Sequence, residues 1–303
     1  MALFDDVIEG LRDPKAPLLH VAVDTGRGTS AGTGVGAGSD TPAPHPLGLF
    51  GARGSGAADH DDRPIVVMLH GIASSSATFF YVIPLIEKTH RVIAIDLLGF
   101  GGSPQPEGAE YTLEEHVAAI AHTIRSLHLD RPFVLVGHSL GCLIGTRYTA
   151  THGSHVTKLV LVSPPVYLSP QEIGDPRVRS RVQGYLQAYQ YFRGNKQFTT
   201  ATAAVVSRLL PVEHVMEITE QNWDPFVKSL QHCIESQTVV SDLAGVDVPI
   251  DVIYGRLDQF LVPGNLKVIE KMRNVTTHVV NVSDHMIRKP MARVVATAID
   301  APA

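Results

Sequence analysis

The stretch FVLVGHSLGCLIG, at residues 133–145, decides the fold. Its first half is a continuous run of apolar, largely β-branched residues, which is typical of a strand buried on both faces. A helix is predicted to begin at or near Ser139 and to run towards His152. A serine in such a strand-to-helix turn projects its hydroxyl outward, and the neighbours Gly137 and Gly141 leave room for the strained backbone. Ser139 is therefore the candidate nucleophile.

Similar apolar runs recur after Arg63 and alternate with longer amphipathic stretches. The clearest helix is TLEEHVAAIAHTIRSLHL (112–129), because a threonine followed by acids is a typical helix start. This alternation predicts an α/β fold with a mainly parallel central sheet flanked by helices. The predicted strands are IVVMLH (65–70), RVIAIDLL (91–98), FVLVGHS (133–139), KLVLVS (158–163), PIDVIYG (249–255) and THVVNV (277–282).

The first 63 residues form an N-terminal segment of different composition. LLHVAV (18–23) predicts an edge strand, and HPLGLF (45–50) is a candidate for a second one. Residues 26–62 are otherwise rich in glycine, serine, threonine and alanine, too polar to offset their ordering entropy, and are predicted to be a flexible insertion. The alternative is that the whole segment is a tail with no part in the chemistry.

A second departure from the alternating pattern covers residues 166–238, which are predicted to form several helices. An insertion there lies over the carboxyl ends of the strands, where open α/β sheets bind ligands. We interpret it as a helical cap, with residues 64–165 and 239–303 as the core. Six aromatic residues could line a pocket under the cap or simply pack its helices together. They are Tyr185, Tyr189, Tyr191, Phe192, Phe198 and Trp223.

A nucleophilic serine needs a base, and the base needs an acid to orient it. Asp258 follows the strand PIDVIYG and His285 follows the strand THVVNV, so both lie in loops at carboxyl ends of strands and can meet Ser139. Asp284 is interpreted as a turn residue. No carboxylate follows the strand KLVLVS at Ser163, which favours Asp258 as the acid.

An oxyanion hole requires two backbone N–H groups near the nucleophile. Leu140 supplies one, because it directly follows Ser139. The loop after the first parallel strand, MLHGIASSS, supplies the other from Ile72. His70 is predicted to organise this loop by hydrogen bonding, and His138 is predicted to have a packing role.

Composition excludes several other functions. The formal net charge of −5 gives no basic surface for nucleic acid. The acidic N-terminus does not resemble an export signal, and no run of about 18 apolar residues predicts a membrane span, so we expect a cytoplasmic protein. Cys142 and Cys233 are predicted to be buried free thiols. No metal-ligand spacing or dinucleotide motif is present, so we expect neither a metal nor another cofactor. The oligomeric state does not follow from the sequence.

Five motifs, in order along the chain, resemble those of the α/β-hydrolase superfamily, in particular its cap-bearing branch of serine hydrolases and esterases. The motifs are LHGIASSS, DLLGFGGS, GHSLG, YGRLDQFLVP and SDHMI. The resemblance extends from Pro64 to the C-terminus, whereas the Gly-rich stretch before it departs from the compact initial strands of the family. It implies a triad of Ser139, His285 and Asp258 beneath a cap. Branches with an aspartate nucleophile differ at position 139, which disfavours halide or epoxide opening.

The favoured hypothesis is hydrolysis of a small carboxylic ester through an acyl-enzyme on Ser139. The same triad also serves carbon–carbon bond hydrolases, perhydrolases and acyltransferases, and no cap motif separates these chemistries. A ligand-binding protein on this scaffold is a further alternative, although binding alone has no need of a complete triad.

Overall fold

The computed structural model describes residues 16–26, 61–167, 174–209, 212 and 215–302. The predicted strand HPLGLF and nearly all of the Gly-rich stretch lie outside these residues.

Seven strands form one sheet in the order β1-β3-β2-β4-β5-β6-β7. Strand β1 pairs antiparallel with β3, and all other pairs are parallel. The predicted α/β architecture is thus confirmed. Strand β1 lies at one end of the strand order. The strands are β1 Val21–Asp24, β2 Ile65–Leu69, β3 Arg91–Ile95, β4 Phe133–His138, β5 Val156–Val162, β6 Ile250–Gly255 and β7 Val275–Val280.

The inner strands of this sheet are buried on both faces. Along β2, Val67 and Leu69 pack into one apolar cluster, while Val66 and Met68 pack into a second cluster on the opposite face. Successive side chains of a strand point to opposite faces, so a strand covered on both sides must be apolar throughout. Because strands β2 to β7 run parallel, their carboxyl ends lie at the same edge of the sheet.

Helices connect the strands and flank the sheet. The helix predicted over 112–129 starts as expected, because the Thr112 hydroxyl and the Glu115 carboxylate each accept the other's backbone N–H at 3.2 Å. Among the described residues, four helices and a π-helical turn lie between β5 and β6, and the first three of these helices fall within residues 166–238. The helices are α1 Ile83–Ile86, α2 Leu113–Ser126, α3 Leu140–His152, α4 Pro176–Gly194, α5 Lys196–Leu209, α6 Trp223–Ser229 with the π-helical turn Leu230–Glu235, α7 Val239–Ala244, α8 Pro263–Ile269 and α9 Lys289–Asp300.

One buried histidine joins this inserted segment to the core. The His116 Nε2 atom on α2 lies 3.1 Å from the Ser229 hydroxyl oxygen on α6. Burial, together with the nearby His70, lowers the pKa of His116 to about 3. The histidine is therefore neutral when folded, whereas in the unfolded chain it gains a proton below about pH 6.5.

We expect the free energy of unfolding to fall as the pH drops from 7 to 5. The folded pKa of His116 lies below the unfolded one, so this contribution is complete above about pH 6.5 and is lost as the pH falls. His116→Gln should flatten the decrease by roughly 2 kcal/mol between pH 6.5 and 5. Urea unfolding at three pH values measures this slope. The control His155→Gln changes an exposed histidine and should retain the wild-type slope. Equal slopes for wild type and both variants would contradict the assignment of part of this decrease to His116.

Candidate active site

Ser139 occupies the turn between β4 and α3, in the conformation that the motif predicts. Its φ of 50° lies in the left-handed region, which costs energy for any residue with a side chain. A Cβ atom on Gly137 would overlap the Gly141 carbonyl, and one on Gly141 would overlap the Leu69 carbonyl. Both glycines are therefore required by close backbone approach, and the turn holds the serine at the edge where the strands end.

Asp258 and His285 meet across two neighbouring strand ends. His285 Nδ1 lies 2.9 Å and 3.1 Å from the two carboxylate oxygens of Asp258, which follows β6. Burial acts to raise the pKa of Asp258, but the hydrogen bond from His285 and the N–H of Phe260 outweigh it and lower the pKa. An ionised Asp258 holds the proton of His285 on Nδ1, which leaves Nε2 as the acceptor.

Ser139 and His285 line the same cavity, which brings the three candidate residues to one site. No hydrogen bond joins the side chains of Ser139 and His285. Such contacts are commonly long without substrate and tighten when it binds, so this separation is compatible with proton transfer.

His138 supports the base rather than competing with it. Its Nε2 atom lies 2.9 Å from the carbonyl oxygen of His285, and its ring lies 5.1 Å from that of His285. Burial and the neighbouring His285 lower the pKa of His138 to about 3, so the ring is neutral and donates this hydrogen bond. The sequence predicts only packing here, because a bond to a backbone carbonyl 147 positions away leaves no trace in a motif.

The loop after β2 passes directly beside the nucleophile. A Cβ atom on Gly71 would lie 3.1 Å from the Ser139 Cβ atom, so a side chain at this position would force its neighbours to shift. His70 organises the loop, as expected, since its Nδ1 lies 2.7 Å from the Gly71 carbonyl oxygen and its Nε2 accepts the N–H of Leu97 at 2.9 Å. Ile72 follows Gly71 in this loop and lines the same cavity as Ser139.

A buried carboxylate that sequence reasoning missed also anchors this loop. Asp96 accepts the backbone N–H groups of Ser76 at 2.8 Å and Gly102 at 2.9 Å, and it pairs with His20 of the N-terminal segment at 2.9 Å. These partners lower the pKa of Asp96 although burial opposes them. In the sequence, the indication of this role is that Asp96 lies near the carboxyl end of the predicted strand RVIAIDLL.

The inserted segment contacts both loops of the site. Tyr167 donates a hydrogen bond to the Phe260 carbonyl at 2.7 Å, two residues beyond Asp258, and its oxygen lies 2.8 Å from the hydroxyl of Tyr189 on α4. On the other side, the N–H of Glu217 donates to the Ala73 carbonyl at 2.7 Å. The helices between β5 and β6 are thus fastened to the elements that carry the candidate acid and the candidate oxyanion donor.

The cavity above Ser139 has a volume of about 230 Å³. Of the six aromatic residues singled out in the sequence, only Tyr189 and Phe192 line it, whereas Tyr191 and Phe198 are exposed. Among the described residues, its wall contains no aspartate, glutamate, lysine or arginine. Its apolar wall includes Ile72, Phe192, Ala203, Val215, Met216, Ile218, Phe226, Leu230, Ile234, Phe260 and Met286.

Both cysteines are buried and free, as expected. Burial raises the pKa of the Cys142 and Cys233 thiols above the ordinary value, so neither thiol is a competing nucleophile near neutral pH. Among the described residues, none of the helices combines the length and the apolar character that crossing a bilayer requires.

The chain belongs to the alpha/beta hydrolase fold family, whose model matches residues 64–287. Solved structures agree in fold: the enol-lactonase from Burkholderia xenovorans LB400 has a TM-score of 0.59 at 18% identity, covering 80% of this chain and 92% of its own. The thioesterase domain from the curacin biosynthetic pathway has a TM-score of 0.57 at 20% identity, covering 78% and 91%. At these identities the likeness shows the fold alone.

Two curated relatives from Arabidopsis thaliana match a shorter stretch. "Probable lysophospholipase BODYGUARD 3" is 40% identical over 116 residues, which cover 37% of this chain and 23% of that protein. A 1-acylglycerol-3-phosphate O-acyltransferase is 36% identical over 105 residues, covering 34% and 25%. The chain thus spans about a quarter of the length of these relatives. Family membership supports a hydrolase.

Proposed function

We propose that this protein is a serine hydrolase that cleaves carboxylic esters with an uncharged, apolar acyl group of medium size. The observation that carries the proposal is the hydrogen bond between Asp258 and His285, since His285 lines the same cavity as Ser139. The described wall of this cavity contains no aspartate, glutamate, lysine or arginine. Each residue then has one role in a two-step acyl transfer to water.

In the first step, the Ser139 hydroxyl oxygen attacks the ester carbonyl carbon while His285 Nε2 takes its proton. The oxyanion that forms is stabilised by the backbone N–H groups of Ile72 and Leu140, and Asp258 stabilises the imidazolium. Collapse of this intermediate breaks the ester bond, and the leaving alkoxide takes the proton from His285. Water then attacks the acyl-enzyme by the same route and releases the acid.

The size of the cavity sets the acyl group. A dry, apolar cavity of about 150 Å³ is sufficient to bind benzene. The present cavity, at about 230 Å³, is half as large again and suits an acyl chain of roughly eight carbons or an aryl group. Residues 166–238 act as the cap in this proposal, since the wall of the cavity includes Phe192, Ala203 and Leu230.

Acyl transfer to a lysophospholipid is the alternative that a relative's name raises, and it shares the same triad. A phosphate buried with the acyl chain would need a positively charged side chain beside it. The described wall of the cavity contains no lysine or arginine, and its His138 is neutral. This favours an uncharged ester and water as the acceptor.

A panel of p-nitrophenyl esters from acetate to palmitate tests the substrate class. We expect kcat/KM to be highest near octanoate and to be lower for lysophosphatidylcholine assayed in parallel. Ala203 is buried and lines the cavity, so Ala203→Phe should fill the space for the chain and lower kcat/KM for octanoate by about 10- to 200-fold, with much less effect on acetate.

Ala204 is the matched control, because it is the next residue of α5 but is exposed and lies outside the cavity wall. Ala204→Phe should hydrolyse octanoate and acetate at wild-type rates. Equal losses for acetate and octanoate in Ala203→Phe, at an unchanged melting temperature, would contradict the assignment of this cavity to the acyl chain.

A further inference from the structure

Among the described side chains of the hairpin formed by α4 and α5, three large apolar ones are exposed. They are Tyr191, Phe198 and Val205, with relative exposures of 53%, 49% and 59%, and we call them the apolar ridge. The rings of Tyr191 and Phe198 contact each other edge to face at 5.6 Å. No described residue buries the ridge, and aromatic side chains at such exposure indicate a binding surface.

The part of the ridge that lies on α5 is on the outer face of that helix, whose inner face forms part of the cavity wall. Phe198 and Val205 are seven residues apart on α5 and therefore share a face. Thr199 and Ala203, on the other side of the same helix, are buried and line the cavity. Thr202 lines the cavity yet is also exposed, which places the mouth of the cavity beside the ridge.

The hairpin is also strongly basic within an acidic protein. Residues 176–209 contain six arginines and lysines and no aspartate or glutamate, whereas the whole chain has a formal net charge of −5. Two of the six, Arg193 and Lys196, pair with acidic residues of the inserted segment that lie after α5. Arg177 and Arg181 are exposed and lie about four and three helical turns before Tyr191 on α4, within roughly a quarter turn of it around the helix axis.

We propose that the hairpin docks on an anionic lipid surface, with the apolar ridge inserted among the acyl chains and the arginines against the headgroups. Basic residues and exposed aromatic and aliphatic side chains that share one surface of a helical hairpin are the pattern of interfacial membrane binding. The continuity of the ridge with the cavity mouth adds a route by which an apolar ester passes from the lipid to Ser139. Pairing of two copies through this surface would bring two basic hairpins together, which their like charges oppose.

Co-sedimentation with lipid vesicles tests the docking. One set of vesicles contains phosphatidylcholine alone, and the other also contains phosphatidylglycerol at about 30 mol%, which gives a negative surface potential. Wild type should bind the anionic vesicles, and less so at high salt. The double variant Tyr191→Ser, Phe198→Ser should lose at least about tenfold in partition coefficient, because both inserted rings are removed. Arg177→Gln and Arg181→Gln should each lose about fivefold.

Leu85→Ser is the matched control, since Leu85 is equally exposed, at 50%, but lies on α1 away from the hairpin. It should bind as wild type does. Wild type that stays in the supernatant with anionic vesicles would overturn the proposal, as would a ridge variant that still binds. A wild-type dimer in sedimentation velocity that the ridge variant converts to monomer, without vesicle binding, would assign the ridge to a second copy instead.

Docking and catalysis are separable in this design. Ser139→Ala should bind vesicles as wild type does, since Ser139 lies inside the cavity. The ridge variant should hydrolyse a water-soluble short-chain ester at the wild-type rate, because neither ring lines the cavity. Vesicle binding by a protein that hydrolyses no ester would thus leave the docking proposal standing and remove the proposed function, and the reverse result would remove docking alone.

Discussion

Ser139→Ala should lower kcat for a medium-chain ester by on the order of 10⁶-fold, because removing the nucleophile of a working triad removes nearly all of its contribution. The turn between β4 and α3 tolerates alanine as well as it tolerates serine, since the left-handed φ of 50° costs both about the same. Steady-state kinetics on p-nitrophenyl octanoate measures the effect. A residual rate of about 10³-fold over water can remain from the oxyanion donors and substrate binding.

Ser241→Ala provides the control for this substitution. Ser241 lies exposed on α7, where its hydroxyl donates to the Thr238 carbonyl at 2.7 Å, far from the cavity wall. The control should retain wild-type kcat, and both variants should melt as cooperatively as wild type. If Ser139→Ala retained more than about a tenth of wild-type kcat, the decrease would be far too small for loss of the nucleophile. Another group would then carry the reaction.

Asp258→Asn should lower kcat by about 10⁴-fold while the fold stays intact. An amide in place of the carboxylate can donate its N–H to His285 Nδ1 and so stabilise the tautomer with the proton on Nε2, which cannot accept the serine proton. It also removes the charge that stabilises the imidazolium in the transition state. Asp258 is buried and hydrogen-bonded to His285. Among the described residues, no other carboxylate is hydrogen-bonded to His285.

Asp284, the carboxylate next to His285 in the chain, provides the matched control for Asp258→Asn. It directly precedes His285 in the chain, but it accepts the N–H of Met286 at 3.1 Å and pairs with Arg288 at 3.1 Å. Asp284→Asn should therefore cost less than about tenfold in kcat, since it removes a partly exposed ion pair that does not contact His285. Equal losses for the two variants would contradict the role of Asp258 and point to a general effect of charge near the base.

The sequence predicts the sheet well because parallel strands buried on both faces are written as continuous apolar runs. All six predicted strands of the core form, and the candidate nucleophile, acid and base follow strands whose ends meet at one edge. Motif and topology together were sufficient for this part, since strand order determines which loops converge.

Contacts that depend on packing across the fold could not be predicted. Asp96 bonds to Ser76 and His138 bonds to the carbonyl of His285, and both contacts join strand ends whose spacing in the chain is arbitrary. The sequence also could not predict which aromatic side chains of α4 face the cavity. In QAYQYF, aromatic residues at 189, 191 and 192 point around most of the helix, so periodicity defines no single inward face.

The most direct test of the catalytic proposal is intact mass spectrometry after treatment with a fluorophosphonate, on wild type and Ser139→Ala in parallel. Fluorophosphonates react with serines whose hydroxyl is activated by a neighbouring base, so the reaction reports the triad whatever the natural substrate is. We expect a single adduct on wild type and none on the variant. Wild type that folds normally and stays unlabelled, or a variant that labels equally, would contradict the assignment of Ser139 as the nucleophile.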